Sequence, residues 1–187
     1  MITVLFEVVT KEGCFEDYLE TAAGLKPELN KYTGLLHGER FESLTQDDKL
    51  LSLSRWESEE ALVKWRNDSK HRIAQDKGMH QVFETYTITV ADDRVHEDQK
   101  VVLVRTEEYT KLMNHLKGLD LNITYDAYKS LTDSSMLCLI HALSHVSDDL
   151  IASIKPFRVN IDDYYVIRKY TIDQREHAPR DSNKYLL

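Results

Sequence analysis

The feature that most restricts the fold of this chain is the order of its strand-like and helix-like segments, which occurs twice. Strand-like segments carry β-branched runs or alternate apolar and polar residues, and helix-like segments place apolar residues three to four positions apart. In the first half this gives a strand at 2–9, a helix at 14–30, strands at 35–43 and 50–56, a helix from 58 and a strand at 81–91. The second half repeats the order at 101–105, 107–116, 121–130, 137–142, 148–154 and 164–172. This order predicts an α+β protein built from two ferredoxin-like βαββαβ modules.

A charged segment without periodicity, Asp92–Lys100, separates the two halves and has the composition of a connector. We therefore predict one module over residues 1–95 and a second, divergent module over residues 100–187, which ends in a polar, extended arm from Asp173. A ferredoxin-like module leaves one face of its sheet without helices, so two such faces can bury each other. We expect the modules to pack sheet to sheet as an α+β barrel, an intramolecular pseudo-dimer, and a further homodimer of whole chains is left open.

Charge and composition exclude several classes of partner. The formal net charge of −8 and the isoelectric point near 5.5 argue against nucleic acid, because phosphate backbones attract basic surfaces. No basic region precedes the short apolar start, and Glu7 interrupts it, so we expect neither a signal peptide nor a membrane partner. Two cysteines, Cys14 and Cys138, are too few for a disulfide framework. These features predict a cytoplasmic protein.

The segment from Ser54 to Gln75 joins a predicted strand to a predicted helix and carries both tryptophans of the chain. Trp56 closes the strand and Trp65 lies on the helix, which Ser58 can cap. Asn67-Asp68-Ser69 interrupts the apolar pattern and offers a second cap, so the helix is expected to break there. After the break, one helical face carries His71, Ala74, Gln75 and Gly78.

The first half of the chain resembles the antibiotic biosynthesis monooxygenase (ABM) domain family. The residues that carry the resemblance are Leu51-Ser52-Leu53-Ser54-Arg55-Trp56, Glu60-Ala61-Leu62, Trp65-Arg66, His71-Arg72, Ala74-Gln75, Gly78, Phe83 and Tyr86. Members of this family usually dimerise through their sheets into an α+β barrel. The segments 166–170 and 175–182 are similar to the tail of single-module relatives, which makes the chain look like a tandem or fused form.

Haem-degrading oxygenases of the same superfamily use an Asn on the first strand, a Trp on the second helix and a haem-ligating His further along it. The resemblance matches the Trp with Trp65 but places Phe6 at the Asn position and Gln75 at the His position. An amide is a poor substitute for a neutral imidazole on iron. We therefore predict no cofactor, and haem degradation is the less favoured activity.

Two groups of residues are candidates for a substrate pocket between helices and sheet. Trp65, Gln75, Phe83 and Tyr86 are candidate lining residues, although a large aromatic such as Trp65 on a helical stripe also suits a core position. His71 is the candidate catalytic base, since histidine titrates near neutral pH, and a surface capping role is the alternative.

Cationic side chains on the strands supply the second group. His37 and Arg55, together with Arg40, are candidates to orient an anionic substrate, and exposed salt bridges are the alternative. His141 and His145 have a spacing that suits a metal only on a helix, but 137–142 has a strand pattern, so no metal site is predicted.

The resemblance implies a cofactor-independent monooxygenase that acts on a small aromatic or quinol-type substrate. Such a reaction needs a dry pocket and a base, and it leaves almost no sequence motif. The alternative is a non-catalytic small-molecule-binding or stress-related module that uses the same pocket, because a fold does not fix its chemistry.

Overall fold

The computed structural model describes residues 1–177, and its first half contains the predicted elements in the predicted order. The strands are β1 (Ile2–Thr10), β2 (Leu35–Ser43), β3 (Lys49–Trp56) and β4 (Phe83–Asp92), and the helices are α1 (Phe15–Leu29), α2 (Glu59–Arg66) and α3 (Ser69–Lys77). A π-helical turn, Gly78–Val82, leads from α3 into β4. The expected break between α2 and α3 is confirmed, because Asp68 caps α3 by accepting the His71 backbone N–H.

The second half has the same order of strands, with one helix before β6 and one after β7. Its elements are β5 (Gln99–Arg105), α4 (Tyr109–Lys117), β6 (Ile123–Ser130), β7 (Met136–Leu143), α5 (Ser144–Ile154) and β8 (Asn160–Thr171). The arm was expected to be extended from Asp173, but Ile172–His177 forms 3₁₀ turns after β8. The rest of that arm lies outside the described residues.

All eight strands form one closed antiparallel barrel. Its order is β1-β3-β2-β6-β7-β5-β8-β4, so each half contributes four strands in the ferredoxin-like order. The two sheets join edge to edge, where β2 pairs with β6 and β4 pairs with β8. The predicted α+β barrel pseudo-dimer is confirmed, and closure leaves neither sheet with a free edge.

The two joints of the barrel differ in length. β4 and β8 pair over Thr87–Asp92, with one register shift, whereas β2 and β6 pair only over Phe41–Ser43. Two further backbone hydrogen bonds extend the shorter joint, from Leu44 N–H to the Ala127 carbonyl and from Leu131 N–H to the Arg40 carbonyl. Strand pairing therefore holds the β2–β6 joint over a shorter distance.

Alternate residues of each strand point into the barrel or towards the helices. The barrel interior is an apolar core to which both halves contribute, including Leu5, Phe41, Leu53, Leu103 and Leu139, each at most 2 % exposed. The opposite face of the second sheet packs against α4 and α5, where Leu112, Leu116, Leu150 and Ile154 fill the layer. None of the helices among residues 1–177 is long and apolar enough to cross a membrane.

Candidate functional site

A cavity of about 700 Å³ lies in the helix-facing layer of the first half. Its floor is the outer face of the sheet, with residues from β1, β2, β3 and β4, and its walls come from α1, α2 and α3. Both tryptophans, Trp56 and Trp65, line it. The volume is within the range of pockets that enclose small-molecule ligands.

Four aromatic rings form one wall of this cavity. Phe6 on β1 lies with its ring centroid 5.6 Å from Phe83 and 5.5 Å from Tyr86 on β4, and Tyr18 on α1 lies 5.9 Å from Phe83. Gly78 permits this arrangement, because a Cβ built there would lie 2.4 Å from the Phe83 ring. We refer to Phe6, Tyr18, Phe83 and Tyr86 as the aromatic wall.

The helical side of the cavity is built around Trp65 and His71. Their rings stack with centroids 4.1 Å apart and an interplanar angle of 13°. The His71 Nδ1 lies 3.0 Å from the Trp65 carbonyl oxygen, which can only accept, so Nδ1 carries the proton and donates it there. The lone pair is then on Nε2, which lies 3.4 Å from the amide nitrogen of Gln75.

The environment of His71 favours its neutral form. Burial lowers the pKa of this imidazole to about 4, and the Arg66 charge adds to the effect, although the Trp65 carbonyl and the Asp68 carboxylate oppose it. At neutral pH the ring is therefore an uncharged proton acceptor at Nε2. A substrate that became anionic beside it would favour the imidazolium by charge pairing.

We expect His71 to make the protein less stable in mild acid. Its pKa is lower in the folded than in the unfolded chain, so its contribution to stability is complete above about pH 6.5 and is lost as the pH falls towards 4. Between pH 7 and pH 5 this loss should reach about 2 kcal/mol in the free energy of unfolding, measured by urea denaturation. The His71→Gln variant should lack it, whereas His80→Gln, at an exposed position, should follow the wild type. Equal pH dependence in wild type and His71→Gln would contradict the assignment.

A polar group lies at the β2 edge of the cavity. The Arg40 Nη2 donates to the Ala22 carbonyl of α1 at 3.1 Å, and the Arg40 charge acts on the nearby Tyr18 hydroxyl, where it opposes the rise in pKa that burial causes. Ser52 pairs directly with Arg40 across β3 and β2, so both side chains lie on the cavity face. This edge combines a cation with hydroxyl groups.

The structure brings five of the predicted site residues together and places two elsewhere. The cavity is lined by Trp65, His71, Gln75, Phe83 and Tyr86, whose roles stay predictions. His37 and Arg55 do not line it, because the alternation of β2 and β3 turns them towards the barrel side of the sheet. His37 lies 3.2 Å from Glu39, and Arg55 donates to Asp162 at 2.5 Å. Their assignment to this pocket is therefore corrected.

The residue at the haem-ligand position of this cavity does not fit haem iron. Gln75, at the position that the resemblance gives to the haem ligand, directs its amide nitrogen to the His71 ring at 3.4 Å from the Nε2 acceptor, and an amide does not suit iron. Within residues 1–177 no group of three or more His, Cys, Asp or Glu side chains could hold a metal ion. His141 lies on β7 and His145 on α5, so they do not share a helical face.

Comparison with known proteins supports the resemblance. The model of the family described as antibiotic biosynthesis monooxygenase matches residues 1–77. A curated relative from Pyricularia oryzae, jasmonate monooxygenase ABM, is 37 % identical over 112 residues, which cover 58 % of this chain and 52 % of the relative. The chain thus spans about half the length of that relative.

A solved structure shares the fold. An aldoxime dehydratase superposes with a TM-score of 0.57 at 9 % identity, over 88 % of this chain and 80 % of that protein. An anthrone oxidase-like protein is more distant, with a TM-score of 0.40 at 12 % identity over 97 % of this chain and 95 % of that protein.

The fold and the cavity define an α+β barrel protein with a cavity of small-molecule size in one helix-facing layer. Over residues 1–77 the chain is similar to antibiotic biosynthesis monooxygenase domains, and this stretch contains the residues around Trp65 that carry the resemblance.

Proposed function

We propose that this protein is a cofactor-independent monooxygenase that oxidises a small aromatic or quinol-type molecule in the cavity beside Trp65. The observation that carries the proposal is the neutral imidazole of His71, which faces a cavity with an aromatic wall. Aromatic rings favour a flat, electron-rich substrate by stacking. The match to a monooxygenase family over residues 1–77 supports the same reaction class.

The proposed reaction needs no external reductant. A substrate CH₂ group next to a carbonyl, or a ring CH of a phenol that is CH₂ in the keto tautomer, becomes a carbonyl group, so that SH₂ + O₂ gives SO + H₂O. The substrate supplies all four electrons, one oxygen atom enters the product and the other leaves in water. The protein has to remove a proton from the substrate, hold the resulting anion and exclude bulk water.

Each of these tasks has a candidate group in the cavity. His71 Nε2 accepts the proton, while the Trp65 carbonyl holds Nδ1–H and thereby fixes the ring. The imidazolium and the substrate anion then stabilise each other as an ion pair. The aromatic wall and Trp65 shield this pair from water.

Oxygen uptake with a panel of hydroquinones, naphthols and anthrones tests the proposal. We expect the wild type to consume one O₂ per substrate and to place one ¹⁸O atom from ¹⁸O₂ in the product. The His71→Gln variant should lose about 100-fold in rate, the lower end of the effect of a general base. The control Lys129→Gln, at an exposed position on β6, should match the wild type.

Two outcomes would oppose the reaction. Uptake no faster than substrate autoxidation with every member of the panel would contradict it, and so would an unchanged rate in His71→Gln. A small molecule that co-purified unchanged, and bound equally well to His71→Ala, would instead favour a non-catalytic binding protein.

We further propose that the protein works in the cytoplasm on a small-molecule partner and not on nucleic acid. Its two cysteines, Cys14 and Cys138, are free thiols, which suits a reducing compartment. The net charge of −8 supports the absence of a nucleic-acid partner.

A further inference from the structure

Arg40 is a partly buried cation without a carboxylate partner among residues 1–174, whose side chains the structure describes. Its Nε is buried and donates no hydrogen bond there, its Nη2 donates to the neutral Ala22 carbonyl, and the neutral Tyr18 hydroxyl lies close by. A charge removed from water without a counter-charge is costly. No side chain among residues 1–174 therefore compensates this positive charge at the cavity wall.

Three other partly buried arginines of the chain have carboxylate partners. Arg55 donates to Asp162 at 2.5 Å, Arg105 to Glu39 at 3.0 Å and Arg168 to Glu59 at 2.5 Å. Each of these pairs links two different strands, or a strand and a helix, and serves the fold. Arg40 differs from them both in lacking an acidic partner and in lining the cavity.

The rest of the cavity has a positive balance of charge. Among the described lining residues, Arg72 and Lys77 are cations besides Arg40, and Asp76 is the carboxylate, while the whole chain carries a formal charge of −8. A cleft lined by one sign of charge raises the local concentration of ligands with the opposite sign. The cavity therefore attracts anions although the protein repels them.

The width of the sheet sets the distance that a ligand must span to contact both ends of the site. Arg40 lies on β2 and the Tyr86 side of the aromatic wall lies on β4, with β3 and β1 between them. Neighbouring strands lie about 4.8 Å apart, so about 14 Å separate the two edges. A molecule with an acidic group at one end and an apolar or aromatic body can reach both.

We propose that Arg40 anchors the carboxylate of the substrate, with Ser52 and Tyr18 as supporting hydrogen-bonding groups. The ligand is thus an organic acid with a flat or apolar body, oriented so that the body lies along the aromatic wall. Arginine suits this task, because its planar guanidinium bonds carboxylates through charge-assisted hydrogen bonds. This assignment deepens the proposed function by naming the substrate class, and its test measures binding without turnover.

Tryptophan fluorescence provides that test, because both tryptophans of the chain line the cavity. Under anaerobic conditions the full chain is titrated with two acids, 2,5-dihydroxyphenylacetate and jasmonate, and with their methyl esters. At least one acid should bind the wild type about tenfold to hundredfold more tightly than its ester, the range expected for a hydrogen bond to a charged group. Arg40→Gln should lose this preference and bind the ester as the wild type does.

Two further variants separate the anchor from general effects. Arg158→Gln removes the same charge at an exposed position after α5 and should keep the wild-type preference. Arg40→Lys keeps the positive charge but lacks the planar guanidinium group, so it should retain part of the preference for the acid over the ester. Circular dichroism checks that each variant is folded.

If the wild type bound acid and ester equally, the proposed role of Arg40 in binding the carboxylate would be overturned. A preference for the acid that survived in Arg40→Gln would overturn it as well. Failure of both acids to bind at 1 mM would overturn it too. If the protein binds an acid selectively but no substrate gives oxygen uptake, the result would support the carboxylate-binding role of Arg40 and contradict the proposed monooxygenase activity.

Discussion

Replacing Gly78 with alanine should lower the free energy of unfolding by about 2–3 kcal/mol, the usual cost of overpacking a core. A methyl group there would meet the Phe83 ring at 2.4 Å. That ring cannot simply move aside, because Phe6, Tyr18 and Tyr86 pack around it. Urea denaturation measures the loss, and ligand binding should weaken with it because the same rings line the cavity.

A second glycine provides the matched control for this substitution. Gly24 lies on an exposed part of α1, and a Cβ built there meets nothing within 4 Å. Gly24→Ala should therefore stabilise the chain by up to about 1 kcal/mol through helix propensity. Adding Phe83→Leu to Gly78→Ala should recover part of the stability. A Gly78→Ala protein as stable as the wild type would show that the aromatic wall is loosely packed.

Replacing Lys49 with methionine should cost about 3 kcal/mol at pH 7, the scale of a broken buried ion pair. The Lys49 Nζ lies 2.7 Å from Asp126 and 3.4 Å from Glu7, and all three side chains are less than 20 % exposed. Removing the cation leaves two carboxylates, one from each half of the chain, without their shared ion-pair partner. The exposed Lys129→Met, on the neighbouring β6, should change stability by less than about 0.5 kcal/mol.

The pH dependence of this loss follows from Glu7. Burial alone would raise the pKa of its carboxyl group, but His141, Lys49 and the Tyr128 hydroxyl together lower it to about 2. Glu7 therefore adds stability that is complete above about pH 4.5 and is lost as the pH falls towards 2. Lys49→Met should retain less of this contribution. The difference in free energy of unfolding between the wild type and Lys49→Met should therefore become smaller in acid. A deficit that is equal at pH 7 and pH 3 would contradict this account.

The architecture could be predicted from the sequence because the signals that define it are local. Apolar periodicity gave the order of the elements, and Asp68 marked the break between α2 and α3. Closure of the barrel followed from two sheets that each lacked a covering on one face. The start of α5 at Ser144, directly after β7, was missed because no polar loop separates the two elements in the sequence.

The candidate site was only partly predictable. Trp65, His71 and Gln75 lie on adjoining helices, so their proximity was encoded in helical spacing. To predict which strand residues line the cavity, one has to know which face of the sheet holds it. Arg40 and Phe41 necessarily lie on opposite faces, but only the fold shows that the Phe41 side is the barrel core and the Arg40 side the cavity. Arg55 has the spacing of the core side and is therefore turned away.

The short joint between β2 and β6 links the motion of the barrel to its ligand. Regions with few paired backbone groups open most readily, so amide hydrogen exchange should begin at this joint before it reaches β4 and β8. Arg40 lies within it, since its own carbonyl accepts a hydrogen bond from Leu131 across the joint. A bound acid would link β2 to the aromatic wall on β1 and β4 and slow that exchange. Occupancy of the pocket would thus be reported by protection of a strand whose opposite face lines the barrel.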